Sequence, residues 1–169
     1  KDGETILEFH RRGNLREFLQ TQEDLPIHKL TVQIVECLSR IHARGVIHSE
    51  FSTANILLDA SMNAIVCDFS SSSIDGYRPQ SATSIEPSFY RPHRRARDSY
   101  TVQDDLFALG SLLYELVTRT RPYQDLKGNE VGRLYRDGEF PPVDHLAVGG
   151  VIGKCWAGTY DNASHVLYV

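Results

Sequence analysis

The stretch 104–118 carries apolar side chains at Leu106, Phe107, Leu109, Leu112, Leu113, Leu116 and Val117, with Gly110 among them. On a helix these positions cover most of the surface rather than one stripe. Such a helix must be buried on nearly every side, so the rest of the chain has to be built around it. With 169 residues, 41% of them hydrophobic, the chain holds enough apolar material for one sizeable core. A membrane is another way to cover an apolar helix. However, the run 107–117 is interrupted by Glu115 and is shorter than the roughly 18 residues a spanning helix needs. No membrane partner is expected, and the net charge of −4 gives no reason to expect nucleic acid.

Smaller elements surround this helix. Leu30, Ile34, Val35, Leu38 and Ile41 recur at helical spacing and predict a helix over 26–44, ended by Gly45. Arg12-Gly13-Asn14 is a turn, and Asn14 followed by Glu17 predicts a short capped helix over 15–20. The run 5–9 predicts the end of a strand. Val46-Ile47, Ile56-Leu57-Leu58 and Ala64-Ile65-Val66-Cys67 predict small strands separated by polar turns. Weaker helical patterns cover 131–136 and 151–156. Residues 70–88 are rich in Ser, Thr, Pro and Gly and read as one long loop, a length that usually marks function or disorder. There is no internal repeat and no linker, so 1–169 is read as a single domain.

The three cysteines, Cys37, Cys67 and Cys155, form no CxxC pair and are expected to be reduced, buried thiols of a cytoplasmic protein. The chain opens Lys1-Asp2-Gly3-Glu4, without a starting Met or the apolar segment of a secretory signal. A fragment or processed product is the expectation.

Residues able to carry chemistry fall in five segments. His48-Ser49-Glu50-Phe51-Ser52-Thr53-Ala54-Asn55 is followed, 13 residues after Asn55, by Asp68-Phe69-Ser70. Arg91-Pro92-His93 comes next. Asp105 stands 12 residues after His93 at the head of the apolar helix, and Lys154-Cys155-Trp156 ends a late helical pattern. In this order and spacing, these segments resemble the C-terminal lobe of the eukaryotic protein kinases. That family's signatures are H-R-D-L-x-x-x-N, D-F-G and A-P-E. The resemblance covers nearly the whole chain. It implies an α+β, protein-kinase-like fold: a mainly helical lobe with short strands around the catalytic and metal loops, and a hinge at Leu7-Glu8-Phe9-His10.

The resemblance also implies transfer of the γ-phosphate of ATP to protein Ser/Thr, with ATP and Mg as cofactors and a protein as substrate or partner. Phosphoryl transfer is mostly positioning and charge stabilisation. By position, Glu50 would accept the proton of the substrate hydroxyl. Asn55 and Asp68 match the two magnesium ligands, a carbonyl oxygen and a carboxylate that suit a hard cation. Backbone groups of Glu8 and His10 would bond adenine, and Leu57 would pack beneath its ring. Asp105 matches the anchoring Asp of the central helix, while His48 and Phe69 match a stacked internal spine.

The departures are equally specific. Glu50 replaces an Asp and is longer by one methylene, and a misplacement of about 1 Å can cost on the order of a hundredfold in rate. Ser49 replaces the Arg that pairs with an activation-loop phosphate in many members. Ser52 stands where many carry Lys, and Ser70 replaces the Gly of the metal loop. His93 replaces the Glu that closes the activation segment, and 160–169 holds no Arg to pair with such a Glu. No Gly-rich loop, V-A-I-K lysine or regulatory helix is present, so 1–169 reads as hinge plus C-terminal lobe.

Two functions remain open: a kinase domain with impaired transfer, or a pseudokinase serving as a protein-binding scaffold or regulatory module. Plainer readings stand beside both. Asp68 could simply form a turn, and Glu50 could be a solvated loop carboxylate. The basic cluster Arg91, His93, Arg94, Arg95 and Arg97 could be a solvated face, and Ser70 to Ser73 a polar loop.

Overall fold

The computed structural model describes residues 8–21, 24–74, 86–92 and 99–168. Helix α1, Leu15–Leu19, starts where the Asn14 side chain accepts the Glu17 N–H at 2.9 Å, and it buries Leu15, Phe18 and Leu19. Helix α2, Ile27–His42, buries Leu30, Ile34, Val35 and Leu38, the stripe expected from their spacing. It stops two residues short of the predicted end. The chain turns over 43–45, where Gly45 takes a φ of +71° that a side chain would disfavour.

Four short strands follow among the described residues. β1 (Val46–Ile47) pairs antiparallel with β4 (Ser73–Ile74), and β2 (Ile56–Leu58) pairs antiparallel with β3 (Ala64–Val66). The β2–β3 hairpin is closed by the Asp59 carboxylate, which accepts the N–H groups of Ser61 and Asn63, each at 2.8 Å. Strand β4 lies inside the stretch read as a loop, and a 3-10 turn at Pro87–Phe89 crosses its end. Each is too short to leave a periodicity in the sequence. The predicted strand end at 5–9 lies mostly outside the described residues. Phe9, which is described, belongs to no strand and is 83% exposed.

Helix α3, Val102–Thr118, begins two residues before the predicted start because Asp104 caps it. Its carboxylate accepts the N–H and hydroxyl of Thr101, at 2.8 and 2.7 Å. Twelve of its 17 residues are buried, so the expectation of a central helix holds. Helices α4 (Gly128–Arg136) and α5 (Gly149–Trp156) also start earlier than the apolar pattern showed, since their first turns are glycine-rich or polar. α5 lies directly on α3. A Cβ added at Gly110 would sit 2.9 Å from the Cys155 Cβ and 3.0 Å from the Trp156 ring, so only glycine permits this approach. Beneath them Phe140 stacks on Trp156 with ring centres 5.1 Å apart, and Phe107 meets Tyr135 edge-on at 5.3 Å.

The cysteines depart from expectation. All three are free, but only Cys155 is buried; Cys37 and Cys67 are half-buried. Among the described residues no helix is long and apolar enough to cross a membrane.

Candidate active site

The site is suspended from one buried carboxylate. Asp105, 1% exposed in the first turns of α3, accepts the backbone N–H of His48 at 2.8 Å and of Ser49 at 2.9 Å. His42 Nε2 lies 2.9 Å from the same carboxylate. A buried charge is tolerable only when donors surround it, and here three do so. Ser49 pays for this arrangement with a left-handed φ of +72°. The sharp turn delivers Glu50, half-buried, to the far side of the loop, while Phe51 plugs the core at 1% exposure.

Asn55 joins the two halves of the site. Its side-chain amide donates to the Glu50 carbonyl at 2.8 Å, leaving the amide oxygen for another partner. Its backbone carbonyl accepts the Cys67 N–H at 3.0 Å, extending the β2–β3 pairing by one step. That register places Asp68 one residue beyond Asn55's bonding partner. Asp68 is exposed, with φ +57°. Ser70 donates to one of its oxygens from the hydroxyl at 2.6 Å and from the backbone at 3.2 Å. These two bonds, the hydroxyl first, hold the Asp68 carboxyl below its ordinary range.

Thus Glu50, Asn55 and Asp68 are tied into one assembly. Glu8 and His10 line a cavity of about 540 Å³ with Phe9, Arg11, Arg12 and residues 59–61; Leu57 is not part of its lining. Leu57 instead forms a bridge to Asn14 on strand β2. His48 and Phe69 do meet, with ring centres 5.0 Å apart, and His48 Nε2 lies 3.0 Å from the Cys67 carbonyl. Phe69 is nevertheless 46% exposed, so this spine is not internal at its Phe end. His93, Arg94, Arg95 and Arg97 lie outside the described residues.

Among the described residues no group of three or more His, Cys, Asp or Glu could hold a metal by itself. Magnesium commonly takes only one or two protein ligands and completes its shell with phosphate and water. The Asn55 amide oxygen and the Asp68 carboxylate fit that mode.

A second polar cluster went unrecognised in the sequence. Arg16 on α1 reaches Thr53 Oγ1 at 3.1 Å and both oxygens of Glu115, at 3.1 and 3.3 Å. The same guanidinium bonds Glu86. Glu86 in turn accepts from Arg121 at 2.7 Å, and the Thr53 hydroxyl donates to Glu115 at 2.5 Å. Burial works to raise the Glu86 carboxyl, but hydrogen bonds and charge from Arg121 and Arg16 outweigh it and hold the group low. Likewise, burial opposes the Arg16 charge, and Glu115 and Glu86 more than offset it.

Comparison with known proteins adds a lineage to this geometry. Residues 3–165 match the family model described as protein tyrosine and serine/threonine kinase. A probable serine/threonine-protein kinase of Dictyostelium discoideum is 28% identical over 89% of this chain. The serine/threonine/tyrosine-protein kinase HT1 of Arabidopsis thaliana is 26% identical over 90% of it. The tyrosine-protein kinase receptor TYRO3 of Gallus gallus is 27% identical over 89%. The chain spans only 18%, 42% and 19% of these three relatives' lengths.

Proposed function

The chain belongs to the protein tyrosine and serine/threonine kinase family, and from that premise we propose that it forms the hinge and C-terminal lobe of a protein kinase domain. In this reading the domain transfers the γ-phosphate of ATP to a protein Ser/Thr hydroxyl at a reduced rate. The observation that carries it is the double tether of Asn55, to the Glu50 carbonyl and to the Cys67 N–H. One residue thereby fixes the position of the proposed base and of the proposed metal loop. Asp105 holds the whole loop from below.

The roles follow from chemistry. Glu50 accepts the proton of the substrate hydroxyl as its oxygen bonds the γ-phosphorus and the bond from that phosphorus to the β-phosphate oxygen breaks, releasing ADP. Asn55 and Asp68 hold magnesium through oxygen, and the ion, when bound, neutralises charge on the nucleotide phosphates. The Ser70 hydrogen bonds hold the Asp68 carboxyl below its ordinary range, and a carboxylate is the ligand a hard cation takes. Backbone groups of Glu8 and His10 take adenine in the cavity they line, without Leu57. The extra methylene of Glu50 displaces the carboxylate from an aspartate's position, which is the source of the reduced rate. The free cysteines fit a reducing, cytoplasmic setting.

One observation favours the alternative, a pseudokinase scaffold. The Ser70 hydroxyl occupies an Asp68 oxygen that a cation would otherwise use. A phosphate-transfer assay on the full-length protein separates the two. The enzyme reading expects measurable transfer, abolished in Glu50→Gln and raised by about tenfold or more in Glu50→Asp. Nucleotide binding without transfer, unrepaired by Glu50→Asp, would establish the scaffold instead.

A further inference from the structure

The segment around Glu86 is fastened twice. Ser88 sits on the helical core: its carbonyl accepts the Ser111 hydroxyl at 2.5 Å and the Tyr135 hydroxyl at 3.2 Å, and its own hydroxyl donates to the Pro122 carbonyl at 2.6 Å. Glu86 provides the other attachment, and it is made of charge. Its two carboxylate oxygens are divided between Arg16 and Arg121. Arg16 continues through its Nε to Thr53 and Glu115. Thr53 lies in the loop between Glu50 and Asn55, so one guanidinium joins segment 86–89 to the catalytic loop. The Arg16 guanidinium also lies 5.4 Å from the centre of the buried Phe89 ring.

We propose that Glu86 is a built-in anionic latch, which with Arg16 and Arg121 holds segment 86–89 against the catalytic loop without any phosphate. Two guanidinium groups converging on one anion is the arrangement by which arginines order a phosphorylated segment. A carboxylate does the same work permanently. Ser49 agrees with this: the loop carries no cation there to receive a phosphate, while the cations it does use lie at 16 and 121. Glu115 makes the latch separable from folding. At 2% exposure it needs Arg16 as its counter-ion, and that pair persists when Glu86 is neutralised. The purpose of the latch, docking a substrate peptide, rests on the kinase reading. Its existence does not.

The test is amide exchange on the full-length protein, verified by mass as unphosphorylated. The reporters are the Phe89 and Tyr90 amides, which donate to the Glu86 and Pro87 carbonyls at 2.9 and 3.3 Å. Glu86→Gln speeds their exchange by about tenfold, and Glu86→Gln/Arg121→Gln is no faster than Glu86→Gln alone, because one contact has been removed in both. In the peptide-transfer assay, Glu86→Gln raises KM by about fivefold or more and leaves kcat within roughly twofold, as expected for a docking element. Exchange within twofold of wild type in Glu86→Gln overturns the latch whatever the activity. Protection lost with KM unchanged overturns its docking role. A wild type that transfers nothing removes the kinase reading alone, and the exchange result still decides the latch.

Discussion

Replacing Asp105 with Asn should unhook the His48–Asn55 loop. The carboxylate accepts the His48 and Ser49 N–H groups and meets His42 Nε2, all within 2.9 Å. The isosteric amide keeps one acceptor oxygen, but its NH2 must face at least one of these donors. Hydrogen bonds to a buried charge contribute roughly 1.5–3 kcal/mol each, and a buried donor left without a partner costs about 1–3 kcal/mol. Losing the charge and stranding one donor therefore costs about 3–5 kcal/mol, a large part of the roughly 5–15 kcal/mol that holds a domain together. For a chain of this size each kcal/mol lowers Tm by roughly 2–4 °C, so the expected drop is about 6–20 °C. Urea unfolding followed by circular dichroism measures the free energy, and exchange at the Ser49 amide reports the loop itself. Asp144→Asn, at an exposed site, is the control and should stay within about 0.5 kcal/mol of wild type. A variant Asp105→Asn that unfolds within about 1 kcal/mol of wild type, with Ser49 still protected, would refute the suspension of the loop from α3.

Three further outcomes are expected. Gly110→Ala forces a methyl against Cys155 and Trp156 and should destabilise by about 1–3 kcal/mol in the same urea experiment, with the loss located between α3 and α5. Ser70→Gly removes the hydroxyl bond to Asp68, so the Asp68 carboxyl should titrate at higher pH than in wild type when followed by NMR. The Glu86 carboxyl is held below its ordinary range in the fold, so its contribution is complete above the ordinary glutamate pKa of about 4.3 and lost as pH falls through its folded value. The stability gap between wild type and Glu86→Gln should therefore be flat from neutral pH to about pH 5 and close below that.

What was legible in the sequence was whatever is written locally. The all-round apolar pattern of 106–117 announced a central helix, and the 30/34/38 spacing announced α2. The His48–Asn55 and Asp68–Ser70 segments carried the family in their order. Strand β4 and the turn at Pro87–Phe89 were not legible, since two or three residues have no period. Neither was the Arg16 cluster: its partners lie 37, 70 and 99 residues away, and nothing in a charged residue's neighbourhood names a partner at that distance. The exposure of Phe69 and the absence of Leu57 from the lining of the cavity at Glu8 and His10 are likewise properties of the packed chain.

In the proposed function, Asn55 and Asp68, each set by the β2–β3 pairing, hold magnesium for a bound nucleotide. This is tested most directly by titrating ATP into the full-length protein, with and without magnesium, in wild type and Asp68→Asn. Magnesium should tighten ATP binding to wild type, and Asp68→Asn should lose about tenfold or more of that gain, while magnesium-free binding stays unchanged. Magnesium-dependent binding of equal strength in both proteins would contradict it.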